Sequence, residues 1–72
     1  MKYITPEGLQ KIKDELKERK TDKRQEIARR LEEAKALGDL SENTEYSAAK
    51  EAQSFNEGRI LELEEMIRNM VV

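Results

Sequence analysis

Apolar and small residues recur through the first half of the chain at Leu9, Ile12, Leu16, Ile27, Leu31, Ala34 and Leu37. Within each group they stand three or four apart, which keeps them in one stripe on one face of an α-helix. "TPEG" provides the start of that helix. Thr5 suits an N-cap, and Pro6 suits the first helical position because its ring already sets φ. Gly38 provides the stop, as a C′ residue. The pattern predicts one helix over 6–37, roughly 30 residues and about 45 Å long. Its stripe is interrupted by "KERKTDKRQE", 17–26, where the expected inward positions carry Lys20 and Lys23. Their methylene stems can cover a partner helix while the ammonium groups reach water. Thr21 and Asp22 are weak helix formers, so a kink is placed here if anywhere.

The second half is more regular. Tyr46, Ala49, Gln53, Asn56, Ile60, Leu63, Ile67 and Met70 follow a 3-4-3-4-3-4-3 spacing, a full heptad seam over a helix at 43–70. Ser41 or Asn43 can cap it, and Glu42 or Glu45 in its first turn suits the helix dipole. Gly58 lies off the seam and costs about 1 kcal/mol relative to alanine; nothing in the sequence explains it. A turn as short as 38–43 forces the two seams to pair antiparallel. Leu37 is then expected opposite Tyr46, Ala34 opposite Ala49, Ile27 opposite Asn56 and Leu16 opposite Ile67. Polar Gln53 and Asn56 weaken the seam but fix its register. The expected fold is all-α: one domain, 1–72, of two long antiparallel helices in a coiled-coil hairpin.

Composition agrees with a thin rod. Of 72 residues, 42% are charged, 36% hydrophobic and 4% aromatic, too polar for a compact globule but sufficient for one buried stripe per helix. If the seams pair between chains, weak self-association follows. A net charge of -2 excludes general counterion-driven binding to nucleic acid, though not a local basic patch. With no cysteine and no histidine, disulfides, thiolate metal sites and imidazole bases are all excluded. No run approaches the ~18 apolar residues of a membrane span, and "MKYITPEG" lacks a signal-peptide core. A cytoplasmic protein with no membrane partner is expected.

The acidic segment "GDLSENTEYSAAK", 38–50, falls at the turn, with Asp39, Glu42 and Glu45 and no basic residue before Lys50. The plain reading is a solvated turn, since Gly, Asp, Ser and Asn favour turns. A calcium loop is excluded on detail. Asp39, Ser41, Asn43 and Glu45 alternate suitably, but Thr44 stands where such a loop needs glycine and Lys50 where it needs a bidentate glutamate. Two or three exposed carboxylates cannot fill the six positions that Mg2+ wants. They could complete a shell that another macromolecule begins, where a metal would polarise a phosphate or generate hydroxide.

"GDLSENTEYSAAKEAQSFNEGRI", followed by "ELEEMIRN", closely resembles the N-terminal coiled-coil domain of the bacterial Gre transcript-cleavage factors, and the likeness runs from "TPEG" through Val72. The resemblance implies a transcription elongation factor that enters the secondary channel of a backtracked RNA polymerase. The tip would stimulate the polymerase's own cleavage of its transcript, leaving a new RNA 3′ end in register. The family's two key acids fall on Asp39 and Glu42, which would help hold a second Mg2+ and position water. That metal would be shared with the polymerase and not bound autonomously. Asn43, Glu45 and Tyr46 also match the family pattern, and would support the tip or contact the polymerase active-site region. Lys50 sits at a basic family position suited to the extruded RNA. Some relatives with altered tips inhibit the polymerase; Asp39 and Glu42 imply an activator. The family carries a second, C-terminal docking domain, and this chain stops about where it would begin, so a fragment cut at the domain boundary is expected.

The basic stretch "KERKTDKR", 17–24, holds five basic and two acidic residues. A solvated face with charge pairs such as Glu18 and Lys23 is preferred to contact with RNA backbone. The alternative function is a non-catalytic helical interaction module. An enzyme in its own right is not expected, for want of a nucleophile–base pair, a pocket or a complete metal site.

Overall fold

The computed structural model describes residues 2–71. They form a rod of 49 × 19 × 12 Å built from two antiparallel arms. The first arm comprises α1 (Pro6–Glu18), a π-helical turn (Arg19–Lys23) and α2 (Arg24–Lys35); the second is a single helix, α3 (Thr44–Asn69). Two-residue strands β1 (Lys2–Tyr3) and β2 (Met70–Val71) pair in parallel at the base. The hairpin is thus the all-α fold expected, with a minimal β closure that two-residue strands could not announce through periodicity. Thr5 is the N-cap, its hydroxyl accepting from the Gly8 amide at 3.0 Å, with Pro6 at the first helical position.

The interruption at 17–26 is resolved by the π turn. Continuing the 3-4 steps of Leu9, Ile12 and Leu16 would bring Arg19, Lys23, Glu26, Arg30 and Glu33 to the seam. Arg19 does turn inward and is half-buried. The apolar positions that follow stand one residue late, at Ile27, Leu31 and Ala34. A π turn closes its ring with one residue more than an α turn, so it absorbs that extra residue and returns the stripe to the seam. Lys20 and Lys23, expected inward, are exposed, because the inserted residue rotates them off the seam.

Asn56 secures the π turn. It is 1% exposed, and its amide makes two bonds to one residue of the opposite arm. Nδ2 donates to the Arg19 carbonyl at 3.0 Å, and Oδ1 accepts from Arg19 Nη1 at 3.1 Å. A buried amide without partners would destabilise the rod by about 1–3 kcal/mol; here both ends are satisfied. Asn56 was expected opposite Ile27, and the two do line one cleft with Gln53, but its hydrogen bonds go to Arg19. Around this centre Glu15 bridges the arms, accepting from Arg59 Nε at 3.0 Å and Arg19 Nε at 2.8 Å. Arg59 also pairs with Glu62.

The buried apolar set is small: Ile27 and Ala34 on the first arm; Ala49, Ile60 and Leu63 on the second. Each large aliphatic side chain so buried contributes roughly 1.5–3 kcal/mol. Ala34 and Ala49, expected opposite each other near the turn, are both buried. Leu37 departs from expectation. The α-helix ends at Lys35, so Leu37 lies in the turn and is 69% exposed instead of packing on Tyr46. The basic stretch is largely paired: Arg19 with Glu15, Lys20 with Glu64, Lys23 with Glu26 and Arg24 with Glu57. The suggested Glu18–Lys23 pair is not formed among the described residues, as Lys23 turns to Glu26.

Two outcomes are expected from this packing. Bonds from Arg59 and then Arg19 lower the Glu15 pKa from the ordinary 4.5 to about 2. Its contribution to stability is therefore complete above pH 4.5 and is lost as pH falls toward 2. Thermal melts of Glu15→Gln should show a flatter acid limb than the unaltered chain; equal slopes would contradict the cross-arm bridge. A Cβ at Gly58 would meet nothing within 4 Å. Gly58→Ala should accordingly raise unfolding free energy by about 1 kcal/mol in urea titration, and destabilisation would contradict the open outer face of α3.

Candidate functional site

The sequence sends the chain round at 36–43, and the backbone there is held in steps. After Ala36 caps α2, the Leu37 amide donates to the Ala34 carbonyl at 3.1 Å and the Gly38 amide to that of Lys35 at 3.3 Å. Gly38 then adopts φ 117°, open to glycine and strained for any residue with a Cβ. It lies two residues past the cap, one later than a C′ residue. Asp39 follows at the extremity of the rod. Its Oδ1 accepts twice from Ser41, from the backbone N–H at 3.0 Å and from the hydroxyl at 2.8 Å.

Those two bonds hold the Asp39 pKa below the ordinary aspartate value, the hydroxyl contributing most and the backbone N–H next. Glu42 is exposed, and among the described residues no hydrogen bond or ion pair engages its carboxylate. Leu40 is 42% exposed between the two acids.

Asn43 ties this loop to both arms. Its Oδ1 accepts from the Tyr46 amide at 3.0 Å, which makes it the N-cap of α3, and its Nδ2 donates to the Ala34 carbonyl on α2 at 2.6 Å. Of the two caps the sequence allows, Asn43 is therefore the one used. An amide can reach in both directions because it carries donor and acceptor together, whereas a serine at 41 is spent on Asp39. Glu45 is the acid of the first turn, exposed beside a shallow cleft shared with Arg30, Glu33, Ala34 and Leu37. Tyr46 is half-buried on the seam. Lys50 is exposed two turns into α3, where its Nζ donates to Gln53 Oε1 at 3.2 Å.

The six residues singled out in the sequence thus share one end of the rod with different surroundings. Asp39 and Glu42 present oxygen to solvent. Asn43 is structural, and Glu45 and Lys50 line the outer surface just behind the tip. Ser41, weighed in the sequence only as a cap or calcium-loop position, is the residue missed. A D-x-S pattern is the available signal, since serine two residues after an aspartate can close such a turn.

Chemically, carboxylate oxygens suit a hard cation such as Mg2+. Among the described residues no hydrogen bond reaches Asp39 Oδ2, and the Glu42 oxygens are free. No group of three acidic side chains converges there or elsewhere among the described residues. Two carboxylates of this kind can supply part of a Mg2+ shell and cannot fill one alone.

A family model described as "Transcription elongation factor, N-terminal" matches residues 2–72. The chain is 55% identical over 69 residues to transcription elongation factor GreA of Bacillus cereus (strain AH187), an alignment covering 96% of this chain and 44% of that protein. It is 59% identical, with the same coverage, to GreA of Magnetococcus marinus. With GreA of Oceanobacillus iheyensis it shares 53% identity over 70 residues, 97% of this chain and 44% of the relative. The chain thus spans under half the length of these relatives.

Asn43 gives a direct test of how the tip is held. Asn43→Ala should lower stability by about 1–2 kcal/mol in denaturant unfolding, through loss of the cap and of the cross-arm bond. Asn43→Asp keeps the cap but sets a carboxylate against the Ala34 carbonyl, so it should fail to restore stability. Wild-type stability in Asn43→Asp would show that the bond to Ala34 contributes nothing.

Proposed function

The chain belongs to the GreA/GreB N-terminal family of transcription elongation factors, and from that premise we propose that it is the rod and tip of a factor acting inside RNA polymerase. The rod enters the secondary channel of a backtracked bacterial enzyme and stimulates the polymerase's own cleavage of the transcript near its 3′ end. It is a cofactor of that enzyme and carries no independent nuclease site. The observation that carries this reading is the exposed, incomplete carboxylate pair, Asp39 and Glu42, at the extremity of a 49 Å rod.

In this mechanism the rod delivers and the tip completes. Asp39 and Glu42 would hold a Mg2+ shared with the polymerase and would orient the attacking water. When bound, that cation supplies charge to the scissile phosphate and lowers the pKa of water. The bonds from Ser41 lower the Asp39 pKa below the ordinary aspartate value, and they hold one carboxylate oxygen, Oδ1, in place. Asn43 holds the loop rigid against both arms, while Glu45, Tyr46 and Lys50 meet the walls of the partner's site, Lys50 facing the RNA. The paired basic side chains at 19–24 support a solvated face there. Among the described residues no helix is long and apolar enough to cross a membrane.

The test is a cleavage assay on backtracked polymerase with end-labelled RNA and excess of the chain. Asp39→Asn and Glu42→Gln should each remove most of the stimulation, while unfolding free energy changes by no more than about 0.5 kcal/mol, as is usual for surface substitutions. Undiminished cleavage in both variants would favour a helical interaction module with no part in the chemistry.

A further inference from the structure

We propose that Ser41 is a positioning residue that fixes the Asp39 carboxylate for its role at the tip, and so sets how much Mg2+ the shared site needs. This rests on the reading above, in which Asp39 is a ligand. Both donors of Ser41 converge on one oxygen of Asp39, Oδ1, at 3.0 Å from the backbone and 2.8 Å from the hydroxyl. An exposed aspartate on a turn ordinarily exchanges between staggered rotamers. Two bonds to a single oxygen restrict that exchange and reserve Oδ2, which no hydrogen bond reaches among the described residues.

Neither donor comes from the arms, so the loop orients its own acid. Glu42 has no comparable brace, which makes the effect specific to Asp39. Groups that orient a metal's carboxylate ligand alter affinity or activity by roughly 10–100-fold when removed. Ser41 stands in that relation to Asp39, and removing its hydroxyl in Ser41→Ala leaves the backbone N–H donor in place.

Two measurements test this. In the free chain, NMR couplings between Hα and Hβ of Asp39 should report one dominant χ1 rotamer. They should average in Ser41→Ala and recover in Ser41→Thr, which keeps the hydroxyl. In the cleavage assay, Ser41→Ala should raise the Mg2+ concentration for half-maximal stimulation by roughly 10-fold. The rate at saturating Mg2+ should stay close to wild type, and threonine should restore the requirement. Unchanged couplings in Ser41→Ala would overturn the proposal. So would an unchanged Mg2+ requirement in Ser41→Ala under conditions where Asp39→Asn abolishes stimulation. Stimulation that survives Asp39→Asn would instead overturn the parent reading, and this one with it.

Discussion

Everything in this rod depends on keeping two apolar stripes in phase over a length that one chain can barely bury. A heptad seam tolerates no drift, yet the first arm carries one residue too many between Leu16 and Ile27. An unbroken α-helix in the supercoil's own repeat would bring Lys23, Glu26, Arg30 and Glu33 against Ile60 and its neighbours, charge facing hydrocarbon. The π turn at Arg19–Lys23 removes that conflict. Such turns are rare, and the opposite arm meets this one with the buried amide of Asn56, bonded twice to Arg19. The polar residue in the seam is thus the means by which the extra residue is accommodated. Beside it, Glu15 on the first arm accepts from Arg19 of the same arm and from Arg59 of the other, which ties the two arms together.

That register has a consequence about 20 residues away. With Ile27, Leu31 and Ala34 restored to the seam, the Ala34 carbonyl arrives where Asn43 can take it, at 2.6 Å. The turn is thereby fastened to α2 as well as to α3, and a loop carrying two exposed acids becomes a defined end instead of a frayed one. Clustered negative charge repels itself and would favour spreading of the tip. The hydrogen bonds of Ser41 to Asp39 and of Asn43 to both arms oppose this within the loop. A binding end that is already ordered loses less entropy when a partner closes around it.

Much of the rod was legible in the sequence. Thr5 and Pro6 marked the start, and the regular spacing from Tyr46 to Ile67 marked α3, while Met70, counted in the same seam, belongs to β2. The π turn was not legible. Over 17–26 there is no apolar residue to count, so a slip of one residue leaves no trace in the pattern, and lysines were assigned positions that Arg19 takes alone. Leu37 misled for the opposite reason: its spacing is right, but the helix ends before it. At the tip, Ser41 and Asn43 are equally good caps by residue type, and only the geometry of the second arm decides between them. The role proposed for Asp39 and Glu42 comes from resemblance; the residues alone showed an acidic turn that could complete another molecule's metal shell.

The central claim is that the tip lies beside a cation held by the polymerase. It is tested most directly by replacing Mg2+ with Fe2+ in backtracked complexes and mapping where hydroxyl radicals generated at that ion cut this chain. Cuts confined to 38–43, present only with polymerase and diminished in the doubly substituted Asp39→Asn, Glu42→Gln chain, are the expected result. Cuts spread along the arms, or an uncut tip in a complex that has bound the chain, would contradict it.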